Sequence, residues 1–284
     1  MADGTEDRPV WRYFYDENNV FCAEKIKRNF SKKELLRGKN PDAPVITITG
    51  DTHRKFDRLL SFTRKFGVVE GDLMIILGDA GINYFGGGED DLLKYRLSKL
   101  GIDLLCIHGN HEMRPESTGL YSEKEWHGGK VYVEDAYPFL MFAKDGEIYD
   151  IGGYKTLVIG GAYSVDKFTR LAWGYQWFAD EQPSDETKAY VEKQLEKNNW
   201  SVDVVLSHTV PYKYRPVDLF IRGLDQSTVD DSTERWLGEI EERLTYKRWY
   251  AGHFHCDRDV DDLKIMYRKV GLFMKDTDLK FEME

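Results

Sequence analysis

Val45-Ile46-Thr47-Ile48-Thr49-Gly50-Asp51-Thr52-His53 runs a short, β-branched apolar stretch straight into a glycine, an aspartate and a histidine. The same arrangement recurs along the chain. Leu73-Met74-Ile75-Ile76-Leu77 meets Gly78-Asp79, and Leu104-Leu105-Cys106-Ile107 leads past His108 to Gly109-Asn110-His111-Glu112. Val204-Val205-Leu206 is followed by Ser207-His208, and Trp249-Tyr250-Ala251 by Gly252-His253-Phe254-His255. Short apolar runs with such boundaries read as buried strands. Open α/β sheets place ligands just beyond the carboxyl ends of their strands. These ends therefore deliver Asp51, His53, Asp79, Asn110, His111, His208, His253 and His255 to one rim. Carboxylate, amide and imidazole together make a metal-site inventory, and they point to hydrolysis.

The segments between these runs read as helices. Arg54 to Phe66 carries Phe56, Leu59, Leu60, Thr63 and Phe66 on one stripe and stops at Gly67, while Glu89 to Leu100 stops at Gly101. Strands follow at Val131–Val133, Phe139–Ala143, Ile148–Ile151 and Thr156–Ile159, with Asp145-Gly146 as a hairpin signal between two of them. A helix over Glu186–Lys197 leads to the strand Val202–Leu206. Another, over Thr233–Leu244, has Asp231 and Glu234 at capping-box spacing. A closing hairpin spans Leu263–Met274. The pattern predicts an α/β (α+β) chain in which two sheets pack face to face with helices outside. One domain is expected over 1–284, with residues 1–43 as a peripheral strand and helix and residues 44–256 holding every motif.

At 284 residues the chain can bury a real core, and 41% hydrophobic against 32% charged residues fits a soluble globular protein rather than a disordered one. The net charge of −10 leaves no general basic footprint for nucleic acid. It does not exclude a phosphate substrate, because bound dications would make a site locally positive. Cys22, Cys106 and Cys256 form no CxxC pair, so neither a disulfide framework nor a zinc knuckle is expected. No apolar run reaches the roughly 18 residues of a membrane span, and the polar start of the chain does not read as a signal peptide. A cytoplasmic protein is expected.

In order, GDTH, GD, GNHE, SHTVP and GHFH resemble the motifs of the calcineurin-like metallophosphoesterase superfamily from Pro44 to Cys256. The resemblance implies a four-layer αββα sandwich of two mixed sheets with a dinuclear metal site at the strand carboxyl ends. It assigns Asp51, His53 and His255 to a first ion, Asn110, His208 and His253 to a second, and Asp79 to both. His111 matches the histidine beside the leaving group. Such donors suit manganese, with iron or zinc as alternatives, better than magnesium. The implied reaction is in-line attack on a phosphate ester by a metal-bridging hydroxide, with monoesters favoured. The substrate would be a phosphorylated small molecule, a nucleotide or a phosphoprotein. A nuclease or cyclic-nucleotide phosphodiesterase, or a non-catalytic scaffold of the same fold, are the alternative readings.

The chain also departs from the family's protein phosphatases. Those carry an Asp and an Arg where this chain has Ile82 and Asn83, and an Arg where it has His108. The grip on phosphate is therefore open between Arg54, Arg114 and Arg170, and Glu112 is one group available to orient His111 in place of the lost Asp. His108 reads as a strand-end neighbour of the site, His127 as a loop residue, and Gly86-Gly87-Gly88 as a flexible loop. Tyr163, Phe168, Trp173, Tyr175, Trp177 and Phe178 form either a substrate wall or a satellite packing cluster.

Overall fold

The computed structural model describes residues 10–15, 21–26, 44–66, 70–220, 226–275 and 278–279. Val10–Tyr15 (β1) and Phe21–Ile26 (β2) pair antiparallel as a separate two-stranded sheet, and the rest of the expected strand-and-helix prelude lies outside the described residues. Each apolar run ahead of a motif is a strand. Ile46–Thr49 (β3), Leu73–Ile76 (β4) and Asp103–Cys106 (β5) lie parallel, with Ile46 opposite Leu73 and Leu73 opposite Asp103. Leu140–Ala143 (β8) continues the sheet in parallel, and Gly129–Val133 (β7) and Ser122–Trp126 (β6) extend it antiparallel. Val270–Leu272 (β15) and Asp278–Leu279 (β16) complete the eight-stranded order β16-β15-β3-β4-β5-β8-β7-β6.

The second sheet has six strands. Tyr154–Ile159 (β10), Val204–Ser207 (β11) and Arg248–Ala251 (β12) are parallel and end level, Ile159 opposite Ser207 and Ser207 opposite Ala251. Ile148–Ile151 (β9) closes one edge, while Leu263–Ile265 (β14) and Arg258–Val260 (β13) close the other. Level strand ends in both sheets put the loops after β3, β4, β5, β11 and β12 along one rim.

Alternate side chains of these strands sort into separate layers because a pleated strand faces two ways. Ile48, Ile75, Leu105 and Ile107 meet Val158, Val204, Leu206 and Tyr250 between the sheets. Met74, Ile76 and Leu104 face outward onto Leu59 and Phe62 of Asp57–Phe66 (α1) and Leu97 of Gly88–Leu97 (α2). Two short helices follow in the chain, Pro115–Thr118 (α3) after β5 and Lys167–Trp173 (α4) after β10. Leu157, Val205 and Trp249 face Val191 of Asp185–Lys197 (α5) and Leu237 of Ser232–Arg243 (α6). The result is the expected four-layer αββα sandwich. Strands covered on both faces favour apolar residues on both sides, which is why most read as unbroken runs, while the buried Thr47 and Thr49 of β3 bond Leu73 O and Lys269 O. Among the described residues, no helix is long and apolar enough to cross a membrane.

Three local expectations fail. Asp145-Gly146 does not close a hairpin: β8 belongs to the eight-stranded sheet and β9 to the six-stranded one, so the turn carries the chain between sheets. Asp145 holds that corner, its carboxylate accepting from Arg114 Nη1 at 2.7 Å and Gly160 N at 2.6 Å. Leu263–Met274 likewise splits, with β14 and β15 in different sheets, and the hairpin there is β13–β14. Asp231 precedes α6 without capping it, because its carboxylate is taken by Arg215 and Arg235, while Glu234 accepts from Thr209 Oγ1 at 2.7 Å.

Candidate metal centre

Tight turns at the strand ends bring the motifs together. At Gly78 (φ +90°) a Cβ would lie 2.0 Å from His208 Nδ1, and at Gly109 it would lie 2.1 Å from Asp79 N. Only glycine lets these loops approach so closely. His53, Asp79, His253 and His255 all adopt left-handed backbone, with φ of 46°, 49°, 67° and 48°. That geometry turns each side chain back toward the rim, and Arg54 is itself left-handed (φ 66°), so that α1 starts at Asp57 rather than Arg54.

The seven residues expected to bind metal converge in two groups that meet at Asp79. On one side, Asp51 Oδ2 lies 3.2 Å from His255 Nε2 and 3.8 Å from His53 Nε2, and the two imidazole nitrogens stand 2.8 Å apart. On the other, Asn110 Oδ1 lies 2.8 Å from His208 Nε2 and 3.0 Å from His253 Nδ1. Asp79 reaches both, with Oδ2 at 3.7 Å from His53 Nε2 and Oδ1 at 3.6 Å from His208 Nε2. His208 Nδ1 donates to Leu77 O at 2.8 Å, which aims Nε2 into the cleft.

This donor set fits divalent cations. Among the described residues Asp51 Oδ2 is buried without a well-formed hydrogen bond, and two facing Nε2 atoms can share only one proton. Burial should raise the buried Asp79 carboxyl, but His208 and the neighbouring imidazoles outweigh it and hold it well below the usual range. Burial likewise works against a charged His208, yet Asp79 and Asp51 raise it to about 9. Burial and His208 push His253 down to about 3. A buried pair of carboxylates thus collects positive charge from whatever is near.

His111 sits beside this centre. Its backbone N–H donates to Asp79 Oδ1 at 2.8 Å, and its Nε2 faces Arg170 Nη2 at 3.4 Å. Glu112 does not orient it. That carboxylate accepts from the backbone N–H groups of Ala80, Gly81 and Gly109 at 3.3, 2.9 and 3.2 Å, bracing two motif loops against each other. Ile82 is core, and Asn83 Oδ1 accepts from Tyr121 OH at 2.7 Å, so neither faces the cleft as a substitute for the lost Asp and Arg.

The remaining sequence expectations resolve individually. His108 is buried at its strand end, both ring nitrogens lack a hydrogen-bond partner among the described residues, and burial holds it neutral. His127 lies in the β6–β7 turn, bonded to Asp150 O at 2.9 Å. At the entry to the Gly86–Gly88 loop, Asp90 Oδ2 accepts from Phe85 N and Gly86 N at 2.9 and 2.7 Å. The aromatic stretch is no single cluster. Tyr163 lines the cleft, whereas Phe168, Trp173 and Tyr175 are exposed. Cys106 is core, and Cys256 joins neither donor group. One contact had no sequence signal: Ser164 Oγ accepts from Asn110 Nδ2 at 2.9 Å, across 54 residues of chain.

Residues 44–257 match the sequence profile described as calcineurin-like phosphoesterase, and the chain belongs to that family. The family comprises hydrolases of phosphate esters that typically bind divalent metals. Among solved structures, the chain is similar to TT1561 of Thermus thermophilus, with 12% identity, 79% of this chain and 88% of that one covered, and a TM-score of 0.44. It is also similar to a Saccharomyces cerevisiae serine/threonine phosphatase described as resembling human PP5. There the identity is 14%, the coverage 79% and 67%, and the TM-score 0.30. No curated protein sequence matches the chain significantly.

Proposed function

We propose that the chain hydrolyses phosphate monoesters at a two-metal centre. Asp51, His53 and His255 would hold the first ion, Asn110, His208 and His253 the second, and Asp79 both. The observation that carries this reading is Asp79 lying between two donor groups, one oxygen turned to each. When bound, two dications supply an activated water nucleophile and neutralise phosphate charge. Mixed carboxylate, amide and imidazole donors favour manganese, with iron or zinc next.

The protein's own residues set up the rest. Leu77 O holds His208 Nδ1–H, so that Nε2 is the nitrogen that gives up its proton to an ion, and Ser164 fixes the face of Asn110. His111 is neutral in the free protein, because burial, aided by Arg170, outweighs Asp79. A phosphate dianion beside it favours the imidazolium form, whose Nε2–H is then available to the leaving oxygen. The cavity running from the centre measures about 1180 Å³ and is walled by Tyr163, Val165, Tyr212, Val217 and Phe254. It has room for an organic group well beyond the phosphate.

The test is a screen of phosphomonoesters and phosphodiesters with protein loaded in turn with manganese, iron, zinc and magnesium. Turnover of monoesters above diesters, best with manganese, is the expected result. Absence of turnover from protein shown by elemental analysis to hold two ions would overturn the reading and leave the scaffold alternative.

A further inference from the structure

With Asn83 where protein phosphatases of the family carry an Arg, a phosphate at this centre needs its cationic grip from elsewhere. Arg54 is committed to Gly81 O, Glu89 O and Asp90, with its guanidinium over Phe85. Arg114 is buried in the β8–β9 corner, bonded to Asp180 O and Asp145. Arg215 and Arg235 border the cavity but pair with Asp231 and cover the Tyr212 ring. Arg114 Nη2 also lacks a partner among the described residues, but it is buried in that corner beside Gly161; Arg170 differs from all four in facing His111. It lies on α4, and its Nε donates to Asp166 Oδ2 at 2.8 Å. Nη1 donates to Tyr84 OH at 3.4 Å and Gln176 O at 3.3 Å, while Nη2 faces His111 Nε2 at 3.4 Å. Those contacts hold the fork still and leave one N–H of Nη2 without a partner among the described residues, at the edge of the centre.

We propose that Arg170 binds a non-bridging oxygen of the substrate phosphate and thereby selects dianionic monoesters over diesters, with Asp166 and Tyr84 as its positioning residues. A planar guanidinium held at one edge presents directed N–H groups, which suits phosphate better than a mobile ammonium does. A dianion gains more from that fixed charge than a monoanion does. A diester also replaces one free oxygen with a second organic group. His111 and Arg170 then contact the same phosphate from adjacent positions, the first at the leaving oxygen and the second at a spectator oxygen. The sequence offers Arg170 only as one of three candidate arginines, because it stands 59 residues beyond His111 on a helix with no motif.

The proposal rests on the phosphoesterase reading, so its test carries a readout independent of turnover. Manganese-loaded wild type and Arg170→Ala are compared for affinity toward inorganic phosphate and orthovanadate by calorimetry, and for metal content. They are compared in turnover with p-nitrophenyl phosphate and bis(p-nitrophenyl) phosphate. The expected result is roughly 10–100-fold weaker anion binding and a similar loss of monoester kcat/KM. Diester kcat/KM should change by less than about threefold, with metal content unaltered. Arg170→Lys should recover only part of the loss, since the charge returns without the fork. Asp166→Asn should give a smaller loss with the same selectivity for the monoester, and serves if Arg170→Ala fails to fold. Equal losses on both esters, unchanged anion affinity, or loss of metal would each overturn the role given to Arg170. If loaded wild type turns over neither ester, the phosphoesterase reading fails, while the anion-binding comparison still decides whether Arg170 is the grip.

Discussion

Asn110 Nδ2 donates to Ser164 Oγ at 2.9 Å, and that contact decides which face of the amide the histidines meet. With the nitrogen occupied, Oδ1 is the atom left facing His208 and His253. Ser164 is itself held by its backbone N–H on Glu181 Oε1 at 3.0 Å. Ser164→Ala should therefore weaken the second ion about 10–100-fold and leave the first nearly unchanged. Metal titration followed by elemental analysis distinguishes the two. Equal weakening of both ions would reassign Ser164 to general support of the fold.

Asp79→Asn should be the most damaging single change to metal content. Its two oxygens face His53 and His208, whereas Asn110 contacts only the second group. Loaded Asp79→Asn is expected to retain well under one ion per chain, and Asn110→Ala about one. The same stoichiometry in both variants would contradict a shared carboxylate.

Metal loading should release protons. Burial disfavours a charged His208, but Asp79 and Asp51 hold it up at about 9, so at pH 7 the metal-free protein keeps a proton there. His253, held down at about 3, is already neutral. Ligand imidazoles must be neutral to bind, so affinity should rise with pH until His208 has lost its proton. Calorimetry at pH 7 in buffers of different ionisation enthalpy should detect about one proton or more released per chain. Metal affinity that does not change between pH 6 and 9 would sink this account.

His111→Ala should leave two ions in place and lower turnover by about 10²–10⁴-fold. The loss should be larger for an alkyl phosphate, whose alkoxide leaves poorly, than for p-nitrophenyl phosphate, whose phenolate hardly needs a proton. Equal losses on the two esters would make His111 a phosphate-binding group rather than an acid.

The layers and the rim were legible because burial on both faces forces strands such as Leu73–Ile76 to be apolar throughout, and because glycines mark where they stop. The partners of the short strands were not legible. Asp145-Gly146 has the composition of a hairpin turn, yet whether β9 joins β8 depends on β10, and nothing local encodes that choice. The lost cap at Asp231 has a similar cause, since Arg215 and Arg235 compete for its carboxylate. Within the centre, the eight strand-end residues were readable as an ordered set. Ser164 and Asp166 were not, and Arg170 was readable only as one of three candidate arginines, because they act from segments whose local pattern is that of ordinary loop and helix.

The left-handed backbone of His53, Asp79, His253 and His255 bears on how an ion would bind. An L-residue loses about 1–2 kcal/mol in that conformation, and here the loss is met when the sandwich folds rather than when an ion arrives. The donors of the proposed centre are therefore already turned toward the rim, so that binding an ion would require loss of the His208 proton but no rebuilding of these turns. For the proposed centre, a chelator is then expected to remove the ions and leave the sandwich folded, unlike a small zinc domain that unravels with its metal.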